Sequence, residues 1–401
     1  MKAIVIGRNY TSLLGMIRAA GMAGCEVIAI RTVKGWNKAT NKKKLVGGKP
    51  IEASSKYVKQ HFFVDQGRDE LIKFLLENCR FDDEKAVLLP VDDFVASTID
   101  LNQDKLRDFF VFPNINNTQG EVVRLMDKNI QKEFAKKAGL NVADGWVINI
   151  KDGKYDIPDG IKYPVFTKPE VSFLGNKRCM KRCNNESELI NVIQNIMKER
   201  ECPLLIERFI SIEKEYGILG FSCKGHSVIP GIVNKLAIGH GTHNGVTLIG
   251  SYSSLAPYGE LKSKLLALMS EISFTGLFDI DLYESDGIIY FNELNLRLGA
   301  FGYAAIRAGI NMPEMLINAL YTNDYRADDA DYFGTIKCIS EKVNLDDYSS
   351  GYISWKQYNK NIHDVDYGFL YDDNDIQPYK VFESTINQIR FRRTIKNILR
   401  R

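Results

Sequence analysis

The sequence predicts a parallel α/β domain at the N-terminus followed by an α+β body, and three observations support this. The chain opens on a short apolar strand, a glycine turn, an amphipathic helix and a second strand, which is how a parallel sheet begins. From about residue 146 onward short strand patterns dominate, with only two helical stretches between them. Between these regimes lies the turn-rich segment P-N-I-N-N-T, which closes the first unit at Pro113. A chain of 401 residues has room for two or three domains of about 100–200 residues each.

In order, K-A-I-V-I-G is a buried strand ending at Gly7, followed by a helix over 12–23 and a strand over 26–30. A helix at 69–78, a strand at 86–89, a helix opened by P-V-D-D and a strand at 109–112 complete a first domain, 1–113. Helices at 119–126 and from Asp127–Lys128 to 138 lead into strands at 164–168, 179–182, 204–207, 215–222 and 227–234. Helices at 187–198 and 260–273 interrupt them. Strands at 276–284 and 287–292 are joined by S-D-G, a strong hairpin signal. The body therefore spans 114–325, and 326–401 forms a C-terminal extension.

Lys and Arg number 53 against 50 Asp and Glu, so overall charge makes no case for nucleic acid as a partner. Seven cysteines at 25, 79, 179, 183, 202, 223 and 338 form no C-x-x-C pair and sit near no histidine cluster. They read as reduced thiols of a cytoplasmic protein rather than a disulfide or zinc framework. The first strand starts at Lys2, and no apolar run approaches membrane-spanning length. The last residues are basic and amphipathic. Arg390, Arg392, Arg393, Lys396, Arg400 and Arg401 accompany Val381, Phe382, Ile386, Ile389, Phe391, Ile395 and Ile398. Such a helix either lies on an anionic membrane surface, making the protein membrane-associated, or docks on the body with its basic face solvated.

The chemistry concentrates in F-D-I-D-L-Y-E-S-D-G-I-I-Y-F-N-E-L-N-L-R. In a strand, residues two apart share a face, so Asp279 and Asp281 point together, as do Glu293 and Asn295 across the hairpin, with Arg297 just beyond. Converging oxygen donors suit Mg²⁺, which takes carboxylates together with phosphate oxygens and water. An adjacent arginine can neutralise charge on a transferred phosphoryl group. The competing reading, a solvated acidic hairpin, fits poorly with the apolar flanks.

An acidic residue at 281, then Glu293, Asn295 and Arg297 as E-x-N-x-R twelve residues later, resembles the metal-binding end of the ATP-grasp superfamily. That resemblance implies two α+β lobes, about 114–205 and 206–325, clamping ATP. It implies Asp281, Glu293 and Asn295 as ligands of Mg²⁺, for which Mn²⁺ can substitute, and Arg297 and Lys235 as catalytic. Asp at 281 replaces the more common Glu. Lys128, after Asp127, and Lys168, ending Y-P-V-F-T-K-P, match the lysines that reach the nucleotide phosphates. The segment 171–177 would close over those phosphates but is poor in glycine. L-L-I-E-R-F-I matches the hinge, with backbone at Arg208 and Phe209 hydrogen-bonding adenine and Glu207 nearby, and Glu215 fits the ribose-binding acid. The implied reaction activates a small-molecule carboxylate as an acyl phosphate and passes it to an amine, and a homodimer is compatible with it. No Ser-His-Asp or Cys-His nucleophile is required.

Lys235, His240 and His243 fall in the Gly-rich V-N-K-L-A-I-G-H-G-T-H-N-G-V-T, about where this superfamily contacts its acceptor. H-x-x-H lacks a third ligand for zinc. In the first domain G-R-N-Y-T-S-L-L-G departs from G-x-G-x-x-G, which argues against a dinucleotide. Arg8, Asn9 and Ser12 at a helix N-terminus could hold a substrate carboxylate. Asp92 and Asp93 follow a strand end, where they could take a substrate amine or simply cap the helix. The N-terminal motif, with S-K-Y-V-K-Q-H-F-F-V and L-L-P-V-D-D, resembles the carbamoyl-phosphate-synthase-like branch. That branch contains D-aspartate ligases and carboxylate–amine ligases associated with surface polysaccharides, and so implies a small amino acid as one substrate. Two alternatives compete: a biotin-type carboxylase and a non-catalytic nucleotide-binding regulator. The first would need a biotinyl-lysine segment and a long C-terminal domain, and the intact Asp281–Arg297 set argues against the second.

Overall fold

The computed structural model describes residues 1–35, 50–170, 179–199, 203–322 and 331–399. The strands β1 (Lys2–Gly7), β2 (Glu26–Val33), β3 (Val58–Asp65), β4 (Ala86–Pro90) and β5 (Phe110–Val111) form a parallel sheet in the order β3-β2-β1-β4-β5. The central strands are continuous apolar runs because both of their faces are covered. Ala3 and Val5 pack on α1 (Tyr10–Met22) through Leu13, Met16 and Ile17. Ile4 and Ile6 face the other way, onto α2 (Arg68–Asn78) and α3 (Asp93–Asp100), through Leu71, Leu75, Val95 and Ile99. The sequence pattern predicts no strand at β3. It lies at the sheet edge and is half-exposed, so it lacks the apolar run of its neighbours.

The short β6 (Asn114–Ile115) and β7 (Asn141–Val142) flank α4 (Lys128–Lys137). The strands β8 (Gly145–Ile148), β9 (Val165–Pro169), β10 (Lys181–Cys183) and β11 (Leu204–Arg208) make a second, antiparallel sheet in the order β10-β9-β11-β8. The helix α5 (Glu186–Glu199) covers it with Leu189, Val192, Ile193 and Ile196. The third sheet takes in β12 (Lys214–Cys223), β13 (His226–Ile238), β14 (Thr247–Ser253), β15 (Phe274–Ser285), β16 (Ile288–Asn295), β17 (Thr335–Ile339) and β18 (Tyr367–Gly368). Its order is β18-β17-β14-β13-β12-β15-β16-β7, and β6 also pairs with β15. One face packs on α4 and α6 (Leu261–Ile272) through Ala135, Leu265 and Leu268 against Ile218, Ile280 and Leu294. On the other face Leu219, Phe221 and Leu277 join the cluster that contains α1, α7 (Gly302–Arg307) and α8 (Met312–Thr322).

The β15–β16 hairpin turns at Asp286 and Gly287, with φ of 51° and 72°. This is the left-handed pair that a two-residue type I′ turn needs, and it explains S-D-G. Three expectations change. The chain passes from the second sheet to the third between Arg208 and Lys214, later than 205. The strand β13 runs through Lys235 to Ile238, so Lys235 is a strand residue and only the segment after it is a loop. The C-terminal segment is no appendage, because β17 pairs antiparallel with β14 and extends the same sheet.

The helices α9 (Glu341–Ser350), α10 (Trp355–His363) and α11 (Gln377–Leu399) complete the chain. Phe382 and Ile386 of α11 are buried with Leu14, Tyr348 and Tyr358. Arg390 lies over the Trp355 ring, and Arg393 lies over Tyr348 and donates to its carbonyl. The first half of the apolar face is therefore laid on the protein, while Phe391 and Ile395 are left exposed; the side chains of Lys396, Ile398, Arg400 and Arg401 lie outside the described residues. Of the two arrangements expected for this helix, docking on the body is the one its first turns show. Among the described residues no helix is long and apolar enough to cross a membrane.

Candidate active site

A cleft of about 590 Å³ opens between the second and third sheets. Its acidic end is set by strand register. Asp281 pairs with Glu293 and Asp279 with Asn295 across β15 and β16, so all four side chains share one face of the hairpin. Gly217 of β12 pairs with Asp281 on one side and Val233 on the other. It places no side chain between them, and Lys235 Nζ reaches across to Asp281 Oδ1 at 2.7 Å and Glu215 Oε2 at 3.4 Å. Burial alone would lower the Lys235 ammonium, but Asp281 and Glu215 hold it above the usual lysine range. Withdrawal from water, reinforced by the Asp281 charge, pushes Asp279 up to about 7 against the pull of Arg297 and Lys235.

Arg297 donates from Nε to Asp93 Oδ1 at 3.0 Å and from a terminal nitrogen to Asn295 Oδ1 at 3.2 Å. Asp93 is the first residue of α3, so the N-terminal domain orients this arginine. Asp92 plays the other part foreseen for it. It caps α3 by accepting from Val95 N at 3.0 Å, and its second oxygen accepts from Arg8 N at 2.8 Å. It is absent from the walls of the cleft, and so is Arg8, whose side chain is exposed beside Asp92.

At the opposite wall Asp127 caps α4, accepting from Asn129 N at 2.8 Å and Ile130 N at 3.2 Å. That explains why an aspartate precedes Lys128, whose Nζ lies 2.7 Å from Glu293. Lys168 Nζ is 2.8 Å from Glu207 Oε2 and 3.3 Å from Asn292 Oδ1. Burial would raise the Glu207 carboxyl, but Lys168 and a second lysine, Lys132, hold it below the usual carboxylate range. Beyond the lysines the walls turn apolar: Phe166, Met180, Ile210, Ile212, Leu282 and Tyr283. The amides of Arg208 and Phe209 are already engaged, by Asp144 O at 2.9 Å and Pro164 O at 3.0 Å. The hinge contact expected from this backbone is thus left to its carbonyls. The segment 171–177 lies outside the described residues.

A second cavity of about 330 Å³ shares Lys235, Asp279, Asp281 and Arg297 with the first. Asn9, which caps α1 by accepting from Thr11 N at 3.1 Å, lines it together with His243, Ser340 and Lys342. His243 Nε2 lies 2.8 Å from Asp346 Oδ2. His240 pairs with Asp347 at 2.8 Å and stacks on Tyr352, outside both cavities. Sequence reasoning missed Lys132, Asn292, Ser340 and Lys342. The first was within reach, since it follows Lys128 by four residues and shares its helix face. The last two come from the C-terminal segment, which nothing in sequence linked to the site.

A solved biotin carboxylase domain dimer of the Hydrogenobacter thermophilus 2-oxoglutarate carboxylase, in complex with MgADP, ADP and bicarbonate, superposes with a TM-score of 0.62. It is 20% identical, with 84% of this chain and 74% of that one covered. The L-amino acid ligase of Bacillus licheniformis superposes at 0.59, 16% identical, over 84% and 79% of the two chains. The chain has the ATP-grasp fold. In ATP-grasp terms the second and third sheets are the lobes on either side of the cleft. No protein-family model matches the chain. The vancomycin/teicoplanin A-type resistance protein VanA of Enterococcus faecium is 27% identical over 211 residues, 48% of this chain and 59% of VanA. That match covers less than two thirds of the relative's own length.

Proposed function

We propose that the protein is an ATP-dependent carboxylate–amine ligase that forms an amide through an acyl phosphate. The observation that carries this is the convergence of Asp281, Glu293, Asn295, Lys235 and Arg297 at one end of a cleft, with two lysines between them and an apolar pocket. That sequence of environments suits a purine, a polyphosphate and a reacting phosphoryl group. Among the described residues no three His, Cys, Asp or Glu side chains form a metal cluster. Two carboxylates and an amide are what Mg²⁺ uses when phosphate oxygens and water complete its shell. The Lys235 ammonium beside Asp281 supports a cation at this position. The residues thus fit Mg²⁺, which when bound neutralises phosphate charge.

In this reading Lys128 and Lys168 hold the phosphates, the backbone at Arg208 and Phe209 faces the adenine and Glu215 the ribose. Arg297, oriented by Asp93, faces the charge that develops as a substrate carboxylate oxygen attacks the γ-phosphorus and ADP leaves. An amine then attacks the acyl carbon and phosphate departs, inside a site that keeps water out. The second cavity, with Asn9 and His243, is where the substrates sit. The L-amino acid ligase likeness and the D-aspartate-ligase-like motifs support a small amino acid as one substrate, with a cell-surface polymer as the destination of the product. A homodimer, as for the carboxylase domain, belongs to the same proposal, and light scattering tests it.

Trapping tests the activity. With ATP, Mg²⁺, a substrate carboxylate and hydroxylamine the protein is expected to accumulate acyl hydroxamate; a non-catalytic nucleotide binder accumulates none. The carboxylase-like structures favour one second reading, a bicarbonate-using enzyme. ADP release that bicarbonate alone supports, with no hydroxamate from any amino acid, would establish it. Replacing Lys168 or Lys128 by Met is expected to weaken ATP binding while sparing adenosine. Losing one charge-assisted contact costs about 1.5–3 kcal/mol, roughly ten- to a hundredfold in affinity. Equal losses for ATP and adenosine in calorimetry would instead mark the lysine as structural.

A further inference from the structure

Glu207 lies under the phosphate end of the cleft with each carboxylate oxygen taken by a different lysine. Oε2 faces Lys168 at 2.8 Å and Oε1 faces Lys132. All three side chains are buried, with relative exposures of 5–7%. Lys168 lines the cleft, whereas Lys132 does not. Lys132 comes up from α4 one turn beyond Lys128, and its ammonium also donates to Ala143 O at 3.2 Å.

One carboxylate and one lysine make a neutral pair whose ammonium is already spent. Adding the second lysine leaves the group with one net positive charge, and in a site withdrawn from water such a charge acts strongly on an anion a few ångströms away. We infer that Lys132 is a positioning residue that takes up the charge of Glu207, so that Lys168 presents an uncompensated cation to the polyphosphate. Lys132 itself never touches the nucleotide. This rests on the ATP reading above, and a distinct signature separates it from an ordinary buried ion pair. If Lys132 acts only by balancing Glu207, removing both residues' charges leaves Lys168 free and restores the site.

The test is calorimetry of the full-length protein with a non-hydrolysable ATP analogue and with adenosine. Lys132→Met is expected to weaken the ATP analogue about tenfold, the worth of a charge-assisted contact at its lower end, with adenosine unchanged. Lys132→Arg keeps wild-type binding, and Lys132→Met combined with Glu207→Gln recovers most of the loss. The single variant leaves Glu207 and Lys168 as a neutral pair and the double variant leaves the Lys168 ammonium facing Asn292 Oδ1, so melting curves of both variants establish that each is folded before binding is read. Equal loss of ATP analogue and adenosine, or a double variant no better than Lys132→Met, overturns the inference. So does a Lys132→Met protein that binds the ATP analogue as tightly as wild type, and in that case the ligase reading stands. A wild-type protein that binds no ATP analogue overturns both.

Discussion

Replacing Asp281 by Asn, or Glu293 by Gln, is expected to lower ADP formation about a hundredfold or more, because in the proposed reading several kcal/mol of charge stabilisation depend on a cation held by these carboxylates. The thermal midpoint should move little. Their side chains are 25% and 23% exposed, and their partners in this structure are Lys235 and Lys128, at 2.7 Å each. Ion pairs that water reaches contribute about 1 kcal/mol or less, which is about 2–4 °C for a domain of this size. Asparagine and glutamine keep the shape and the hydrogen-bonding capacity, so Asn295, 3.3 Å from Asp281 Oδ2, retains its partner. Turnover measured across a Mg²⁺ series, beside a melting curve, separates the two effects. Wild-type turnover at ordinary Mg²⁺ would remove these residues from the metal site.

This hairpin was the most legible part of the sequence because three local signals agree on it. Alternation fixes which side chains share a face, S-D-G fixes the turn and E-x-N-x-R marks the returning strand, while a bulge at Asn292, between the Leu282–Phe291 and Asp281–Glu293 pairs, sets Asp281 beside Glu293. The N-terminal sheet was legible where its strands are buried on both faces and illegible at β3, whose half-exposed edge position gives no apolar run. The glycines at 239, 241 and 245 suggested a loop around Lys235. In fact the strand continues to Ile238, because pairing with β14 holds it extended beyond Asn234, where pairing with β12 ends, up to the first of those glycines. The engagement of the Arg208 and Phe209 amides depends on Asp144 and Pro164, contacts that no local pattern encodes. The same holds for β17, a five-residue strand whose partner, β14, lies some eighty residues earlier in the chain.

The largest stability effect is expected at Arg18, which stands in an otherwise apolar helix and is fully buried. Its Nε lies 2.9 Å from Asp375 Oδ2, and its terminal nitrogens donate to the carbonyls of Phe369, Leu370 and Asp375, each at 2.9 Å. Arg18→Met removes the cation and strands both a buried carboxylate and three carbonyls, which costs about 3–5 kcal/mol. Asp375 still accepts from Lys56 N at 2.8 Å, so part of its charge remains solvated by the protein. The carbonyls belong to the stretch after β18, and β18 pairs with β17, the strand that leads into Ser340 and Lys342 on the wall of the second cavity. Loosening that stretch should therefore raise KM for the amine and carboxylate substrates more than for ATP, whose pocket is built elsewhere. Denaturant unfolding gives the first number and steady-state kinetics the second. Adding Asp375→Asn to Arg18→Met should recover part of the stability, since no unpaired charge is then buried. A single variant as stable as wild type would mean that water, not the arginine, satisfies these groups.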